Sequence, residues 1–387
     1  MPVKNRFAEM LPEITAWRHD FHENPEILYE VHRTAGVVAE KLREFGCDEV
    51  VEGVGRTGVV AVIKGTGTGP TRTLGLRADM DALPMTEKTG LPHASKTPGA
   101  MHACGHDGHT SILLGAAKYL AETRRFSGTV VLIFQPAEEG GAGAKAMCDD
   151  GLMDRWNIDE VYGLHNMPGL PAGHFAIRPG ALLASADEFS ITVTGRGGHA
   201  AQPHGTVDPV VVSAQIILAL QSIASRNADP VKSVVVSVCV VKPDTEAFNI
   251  IPNSVHLMGT FRTLDPEMRS LTERRLTEIA IATAEAFGAT AEVTVKNIGV
   301  VTMNAPEQTE FAADIAESVS GHVDRATPPI MAGEDFSFML EERPGAYIFL
   351  GNGDTAPVHH PEYDFNDDAI PAGCSWFAEL VEKRLPA

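Results

Sequence analysis

The sequence predicts an α/β fold in which a discontinuous outer domain is interrupted by a small α+β lid domain. Three observations predict it. Short, wholly apolar runs alternate with stretches of helical spacing toward both ends of the chain, the rhythm of a sheet covered by helices on both faces. The middle of the chain instead runs strand, helix, strand, strand, helix, strand, the βαββαβ order of a four-stranded, two-helix sandwich. Finally, His, Cys, Asp and Glu follow the ends of the outer strands, where open α/β sheets bind ligands.

The elements follow in order. Ile14, Trp17 and Phe21 fall at helical spacing after Pro12, and Thr34 is placed to cap a second helix with Val38, Leu42 and Phe45 on one face and Gly46 at its end. Outer strands are expected at Gly58–Ile63, Thr73–Leu76, Thr129–Phe134, Val161–Leu164 and Tyr347–Leu350, with helices near Ile112–Leu120 and Phe311–Val319. Inside the insert the expected order is strand Phe189–Thr194, helix Pro209–Ser225, strands Ser233–Val240 and Val255–Phe261, helix Pro266–Phe287 and strand Ala291–Val295. The outer domain is thus assigned residues 1–186 and 298–387, and the insert 187–297. No internal repeat interrupts this pattern, which sets solenoids aside.

Composition narrows the function classes. With 387 residues, 44% of them apolar and 21% charged, the chain can fill the cores of two domains, so disorder is excluded for most of it. Lys and Arg number 31 against 51 Asp and Glu, a net charge of −20 with no basic block, which disfavours a phosphate backbone as partner. Apolar runs such as Val210–Leu220 and Val234–Val241 fall short of the ~20 residues that span a bilayer, so no membrane segment is expected. Met1–Leu11 mixes Lys4, Arg6 and Glu9 without an apolar core, unlike a signal peptide, and a cytoplasmic location is the expectation. Five cysteines without CxxC spacing argue against a disulfide framework.

The candidate chemistry lies after the outer strands. Asp79 and Asp81 follow Thr73–Leu76, then come His102, Cys104, His106 and Asp107, then Glu138 and Glu139 after Thr129–Phe134, then His165 after Val161–Leu164, and last His359 and His360 after Tyr347–Leu350. A lone cysteine is commonly a small buried hydrophobe. Cys104, however, sits between two histidines in a glycine-bearing loop, which points to ligation. A thiolate, imidazoles and carboxylates suit Zn²⁺, Mn²⁺, Co²⁺ or Ni²⁺, and a thiolate or carboxylate can bridge two such ions. Two metals a few ångströms apart can share a water, lower its pKa and clamp an oxyanion. Of the adjacent glutamates, one can coordinate while the other takes the water's proton.

Eight ordered segments carry a resemblance: Arg77–Pro84 (RADMDALP), His102–His109 (HACGHDGH), Phe134–Ala144 (FQPAEEGGAGA), Gly163–Gly173 (GLHNMPGLPAG), Gly195–His204 (GRGGHAAQPH), Phe248–Thr263 (FNIIPNSVHLMGTFRT), Ala332–Ser337 (AGEDFS) and His359–Phe365 (HHPEYDF). Together they resemble the M20 metallopeptidase family, in its amidohydrolase branch of hippurate hydrolases, N-acyl-amino-acid deacylases and plant auxin-conjugate hydrolases. The resemblance implies two divalent metal ions per subunit, Mn²⁺ or Zn²⁺ with Co²⁺ or Ni²⁺ as alternatives, held by Cys104, His106, Glu139, His165 and His359, with Cys104 bridging. It implies Glu138 as general base and His199, from a neighbouring subunit of a homodimer or higher homo-oligomer, as the group that polarises the substrate carbonyl. Asn249 and Arg262 would hold the substrate's carboxylate end. Asp81 and Asp107 are expected behind the ligands, orienting imidazoles, and Glu334 falls in a motif near the site. The implied reaction is hydrolysis of N-acyl amino acids to a carboxylic acid and a free amino acid. A dipeptidase or aminopeptidase of the same family and a metal-free hydrolase using Cys104 as nucleophile are the alternatives.

Overall fold

The computed structural model describes residues 5–69 and 71–387; residues 1–4, at the start of the segment read as no leader, lie outside the described residues. The chain forms two compact units. One comprises residues up to Leu182 together with Thr302–Pro328 and Asp335–Ala387, and the other Leu183–Val301 and Pro329–Glu334.

In the first unit, helices α1 (Asn5–Glu23) and α2 (His32–Glu44) lead into strands β1 (Glu49–Val54), β2 (Gly58–Lys64) and β3 (Thr73–Asp79). Helix α3 (His106–Thr123), β4 (Thr129–Gln135) and β5 (Glu160–Pro168) follow. An eight-stranded mixed sheet begins with β1, β2, β4, β3 and β5 and ends with a strand at Gly345–Gly353 and two short strands, Phe175–Ala176 and Val323–Asp324. Its centre is parallel: β3 pairs in parallel with β4 and β5, and β5 with Gly345–Gly353. Carboxyl ends of four adjacent strands therefore lie at one edge of the sheet.

Uninterrupted apolar runs form these strands because both faces are covered. Residues of one alternation, Val59, Ala61, Leu74, Leu76, Leu132, Phe134, Leu164 and Ile348, join a core with Ile14, Val38, Ile112 and Trp376 from the helices. Residues of the other, Val60, Val62, Val131, Ile133, Val161 and Tyr347, are also buried. Strand β1 gave no such run: it is an edge strand whose side chains are mostly solvent-accessible.

Two local features depart from the sequence reading. Thr34 does not cap α2; it lies inside the first turn, buried, and the free amides of Arg33 and Thr34 are accepted by the carboxylate of Glu26, at 3.0 and 2.8 Å. A carboxylate from the preceding loop thus does what a cap residue would. A long C-terminal helix at Ile370–Arg384 also went unanticipated, its apolar periodicity diluted by Pro371, Gly373 and Ser375. It buries Ile370, Phe377, Leu380 and Val381 in the same core.

The second unit holds β6 (Ala186–Thr194), α4 (Pro209–Ser222), β7 (Val234–Pro243), β8 (Ser254–Thr263), α5 (Pro266–Ala286) and β9 (Thr290–Gly299), so the βαββαβ order is present. The strands pair antiparallel in the order β7, β8, β6, β9. Both helices start on an Asp-Pro step, where the side chains of Asp208 and Asp265 accept the first free amides and proline supplies a helix-ready φ. A short π-helical turn, Ile223–Asn227, extends α4. By length and composition alone Pro209–Asn227 could cross a membrane. Val212, Ile216, Leu220 and Ile223, however, pack against Phe189, Ile191, Leu257 and Leu276 in this unit's own core. Pro329–Glu334 joins this unit because the Ala184 amide donates to the carbonyls of Ile330 and Ala332.

The first unit returns through α6 (Pro306–Ser320), β10 (Gly345–Gly353) and α7 (Ile370–Arg384). Glu160, at the start of β5, fastens α7 to the sheet: it accepts from Arg384 at 2.5 and 2.9 Å, from Tyr162 at 2.9 Å and from Gln308 at 3.2 Å. Burial opposes the charge, yet these donors hold the Glu160 carboxyl below its usual 4.5. A carboxylate with a depressed pKa stabilises the fold at pH values above its unfolded pKa and loses that contribution as pH falls through the folded one. Glu160→Gln should therefore cost about 1–3 kcal/mol at pH 7. The gap between the thermal midpoints of variant and wild type should narrow as the pH is taken below 4.5.

Candidate metal centre

The four parallel strands deliver the candidate residues to one edge of the sheet. Strand β3 leads into Asp79 and Asp81, β4 into Glu138 and Glu139, β5 carries His165, and β10 leads into the His359 loop; His106 is the first residue of α3. Gly105, before that helix, has φ +90, and a Cβ there would fall 2.3 Å from Asn166 Nδ2. Only glycine accommodates both.

Three sets of donor atoms, each within 4.8 Å of one another, result: Cys104, His106 and His165; Cys104, Glu139 and His359; and His106, Glu138 and Glu139. Cys104 is common to the first two sets. Its Sγ lies 3.4 Å from His165 Nε2, and Glu139 Oε1 lies 3.2 Å from His359 Nε2. A fourth set, Asp79, His106 and His109, has another explanation. His109 Nδ1 donates to Asp79 Oδ1 at 2.7 Å and its Nε2 accepts the Asn166 amide at 2.9 Å, which leaves that imidazole no lone pair to offer.

The two histidines of the first set are arranged differently. His106 Nδ1 donates to the Asp81 carbonyl at 2.8 Å, and His165 Nδ1 to the Asn166 carbonyl at 2.7 Å. Each ring therefore directs Nε2 toward the cluster with its lone pair available. Among the described residues, His106 Nε2 and Glu139 Oε1 are buried without a hydrogen-bond partner. Orphaned buried acceptors beside a thiol and a second carboxylate are what a divalent cation satisfies, so these residues fit a metal centre.

Electrostatics agree with that fit. Burial, reinforced by Glu139 and Glu138, pushes the Cys104 thiol well above its ordinary value. Burial would lower His106, but Asp79, Asp81 and Glu139 hold it at about 10. Burial, with His109, pushes His165 down. Cations placed among these groups would reverse the sense for Cys104 and His106, favouring thiolate and neutral imidazole.

Asp81 lies completely buried behind the cluster. Besides its carbonyl bond to His106, its carboxylate accepts the amides of Glu138 at 2.9 Å and Glu139 at 3.1 Å. Asp107, expected to orient a ligand imidazole, points elsewhere: it accepts from His22 Nδ1 at 2.8 Å and lies 3.6 Å from Arg18. The reason is geometric, since successive helical residues diverge by about 100° and His106 already faces the cluster. His102 is buried among these groups, pushed down to about 3 by burial, and contributes to none of the donor sets. Sequence reasoning named Asp79 without giving it a role and passed over His109, Asn166 and Tyr363. Asp79 and His109 were visible as ionisable residues inside the motifs, whereas nothing in an asparagine or a tyrosine type announces a place beside a metal.

The remaining candidates belong to the second unit. His199 is exposed on a short strand paired with Ile250, and its Nδ1 accepts the Ala201 amide at 3.0 Å, leaving Nε2 as the outward N–H donor. Asn249 is exposed in the turn immediately before Ile250, and its carbonyl accepts the Ala200 amide. Arg262, on β8, donates to the Thr260 hydroxyl and to the Phe261 carbonyl and makes no ion pair among the described residues. Nearby Asp187 is occupied by Arg269, at 2.6 and 3.0 Å.

A family model described as peptidase family M20/M25/M40 matches residues 75–383. A hippurate hydrolase of Campylobacter jejuni is 45% identical over 370 residues, covering 95% of each chain. A protein named thermostable carboxypeptidase 2 of Saccharolobus solfataricus is 40% identical, covering 98% of each. Among solved structures, a Bacillus subtilis protein described as a dinuclear metal binding peptidase from the M20 family superposes with a TM-score of 0.83 at 33% identity, covering 98% of this chain and 99% of its own.

Elemental analysis of the purified protein should find divalent metal. Glu139→Gln should hold fewer ions than wild type, and adding metal to stripped wild type should raise its thermal midpoint by mass action.

Proposed function

Because the chain belongs to peptidase family M20/M25/M40 and is a metal-dependent amidohydrolase, we propose that it hydrolyses N-acyl amino acids of the hippurate kind, releasing a carboxylic acid and a free amino acid. One observation carries this reading: donor groups from three parallel strands and from the start of α3 converge on two triples that share Cys104. In the proposal, Cys104, His106, Glu139, His165 and His359 would hold two divalent ions. When bound, such ions acidify a water and polarise the amide carbonyl.

The protein's own groups do the rest. Glu138, its backbone fixed by Asp81, takes the proton of the attacking water on its carboxylate and delivers it to the leaving nitrogen. His199 presents an Nε2–H and serves as a donor to the developing oxyanion, supplied by a second copy in a dimer. Arg262, without a carboxylate partner of its own, offers a two-pronged donor for the amino acid's α-carboxylate, with Asn249 beside it in the role. The names of the two relatives support a free carboxylate next to the cleaved bond: hippurate is an acylated glycine, and a carboxypeptidase releases a C-terminal amino acid. A cytoplasmic setting is in keeping with five free cysteines.

A metal-free thiol mechanism is the weaker alternative. Reactive thiolates need cationic surroundings, and Cys104 is buried beside Glu138 and Glu139.

The reading is tested on a panel of N-acyl amino acids and free dipeptides, assayed with and without chelator. Chelator-sensitive turnover of the acyl substrates supports it, whereas preference for free dipeptides would support the peptidase alternative. Glu138→Gln should retain metal while kcat drops by roughly 10²–10⁴-fold, the usual contribution of a general base. Amidating the substrate's α-carboxylate should raise KM for the wild type, and Arg262→Ala should erase the difference between acid and amide.

A further inference from the structure

The residues that bind the ligand segments to one another are not themselves ligands. Asn166 follows His165 on β5 and is 1% exposed. Its Nδ2 donates to the Cys104 carbonyl at 2.5 Å, its Oδ1 accepts the Tyr363 hydroxyl at 2.8 Å, and its amide donates to His109 Nε2 at 2.9 Å. Tyr363 is completely buried and lies four residues after His359, in a loop whose His359 amide donates to the Ala103 carbonyl at 2.7 Å. One amide side chain thus joins the Cys104 loop, the His165 strand and the His359 loop. Gly105 completes the fit, because a Cβ there would meet Asn166 Nδ2 at 2.3 Å and the Tyr363 hydroxyl at 2.5 Å.

We propose that Asn166 and Tyr363 form a positioning clamp that sets the distances between Cys104, His165 and His359, and through them the affinity for metal. The reason is positional: each bond of the clamp ends on a residue that is, adjoins or shares a short loop with a ligand. Swapping the amide for a carboxylate replaces the donor to the Cys104 carbonyl with an acceptor, and removing the Tyr363 hydroxyl frees the His359 loop from Asn166. Partners behind ligands commonly govern metal affinity in this way, by about 10- to 100-fold. The proposal rests on the metal-centre reading above.

The test is titration of the metal-stripped, full-length protein with Co²⁺, following both the dissociation constants and the thiolate-to-cobalt absorption that reports Cys104, beside thermal unfolding in chelator. Tyr363→Phe and Asn166→Asp are compared with wild type and with Thr309→Val, a control that removes a buried hydroxyl bond to the Ala305 carbonyl far along the chain. The clamp is supported if Tyr363→Phe weakens Co²⁺ binding about tenfold or more and alters the thiolate band, while Thr309→Val does neither. Wild-type affinity in Tyr363→Phe, or equal weakening in Thr309→Val, overturns it. Should Asn166→Asp fail to fold, Tyr363→Phe alone decides. Wild-type protein that takes up no Co²⁺ would instead overturn the metal-centre reading, and the clamp with it.

Discussion

Asp81 is the residue on which the site depends. Its carbonyl fixes the ring of His106 at the start of α3, and its carboxylate accepts the amides of Glu138 and Glu139 after β4. It thereby ties together the ends of two neighbouring strands and the first turn of the helix between them. A completely buried carboxylate is expensive unless its lone pairs are satisfied. Two backbone donors do that here, and burial still raises the Asp81 pKa above its ordinary value. Arg77 and Asp79 repeat the arrangement one layer deeper. Arg77 spans Asp79 and Gln135, and Asp79 holds His109, which in turn orders Asn166.

Such a cluster also requires a backbone bent away from its ordinary conformations. Ala137, immediately before Glu138, has φ +55, Ala142 just after the glutamates has φ +55, and His359 itself has φ +63. Non-glycine residues in this region cost of order 1–3 kcal/mol each and persist where the surroundings over-determine them. The surroundings here do so: a Cβ on Gly143 would fall 1.7 Å from the Pro136 carbonyl oxygen, so the turn carrying Glu138 and Glu139 has little freedom to relax. Acidic groups crowded around Cys104 add an electrostatic cost that divalent cations would offset, which couples metal binding to the stability of the site.

Legibility in the sequence followed burial. Strands covered on both faces, such as β2 and β4, wrote continuous apolar runs and were readable to within a residue at most ends. The edge strand β1 wrote none, and α7, with proline and glycine in its first turn, lost its periodicity although it is deeply buried. In the site, residues with metal-ligating chemistry could be listed from their types, and the structure gathers Cys104, His106, Glu138, Glu139, His165 and His359 in one unit. What the types could not tell was direction. Asp107 and Asp81 look equivalent in sequence, yet one faces His22 and the other the cluster. Asn166 and Tyr363 meet across almost two hundred residues, a contact no local pattern encodes.

The central proposal is that Cys104, shared by two sets of donor atoms, would help to hold two divalent ions. Diffraction at the manganese absorption edge, from crystals of active protein loaded with Mn²⁺, tests it most directly. The account expects two anomalous peaks about 3.5–4 Å apart, one beside His106 or His165 and the other beside Glu139 and His359, with the Cys104 sulfur between them. Active protein with a single peak, or with both peaks remote from Cys104, would contradict it.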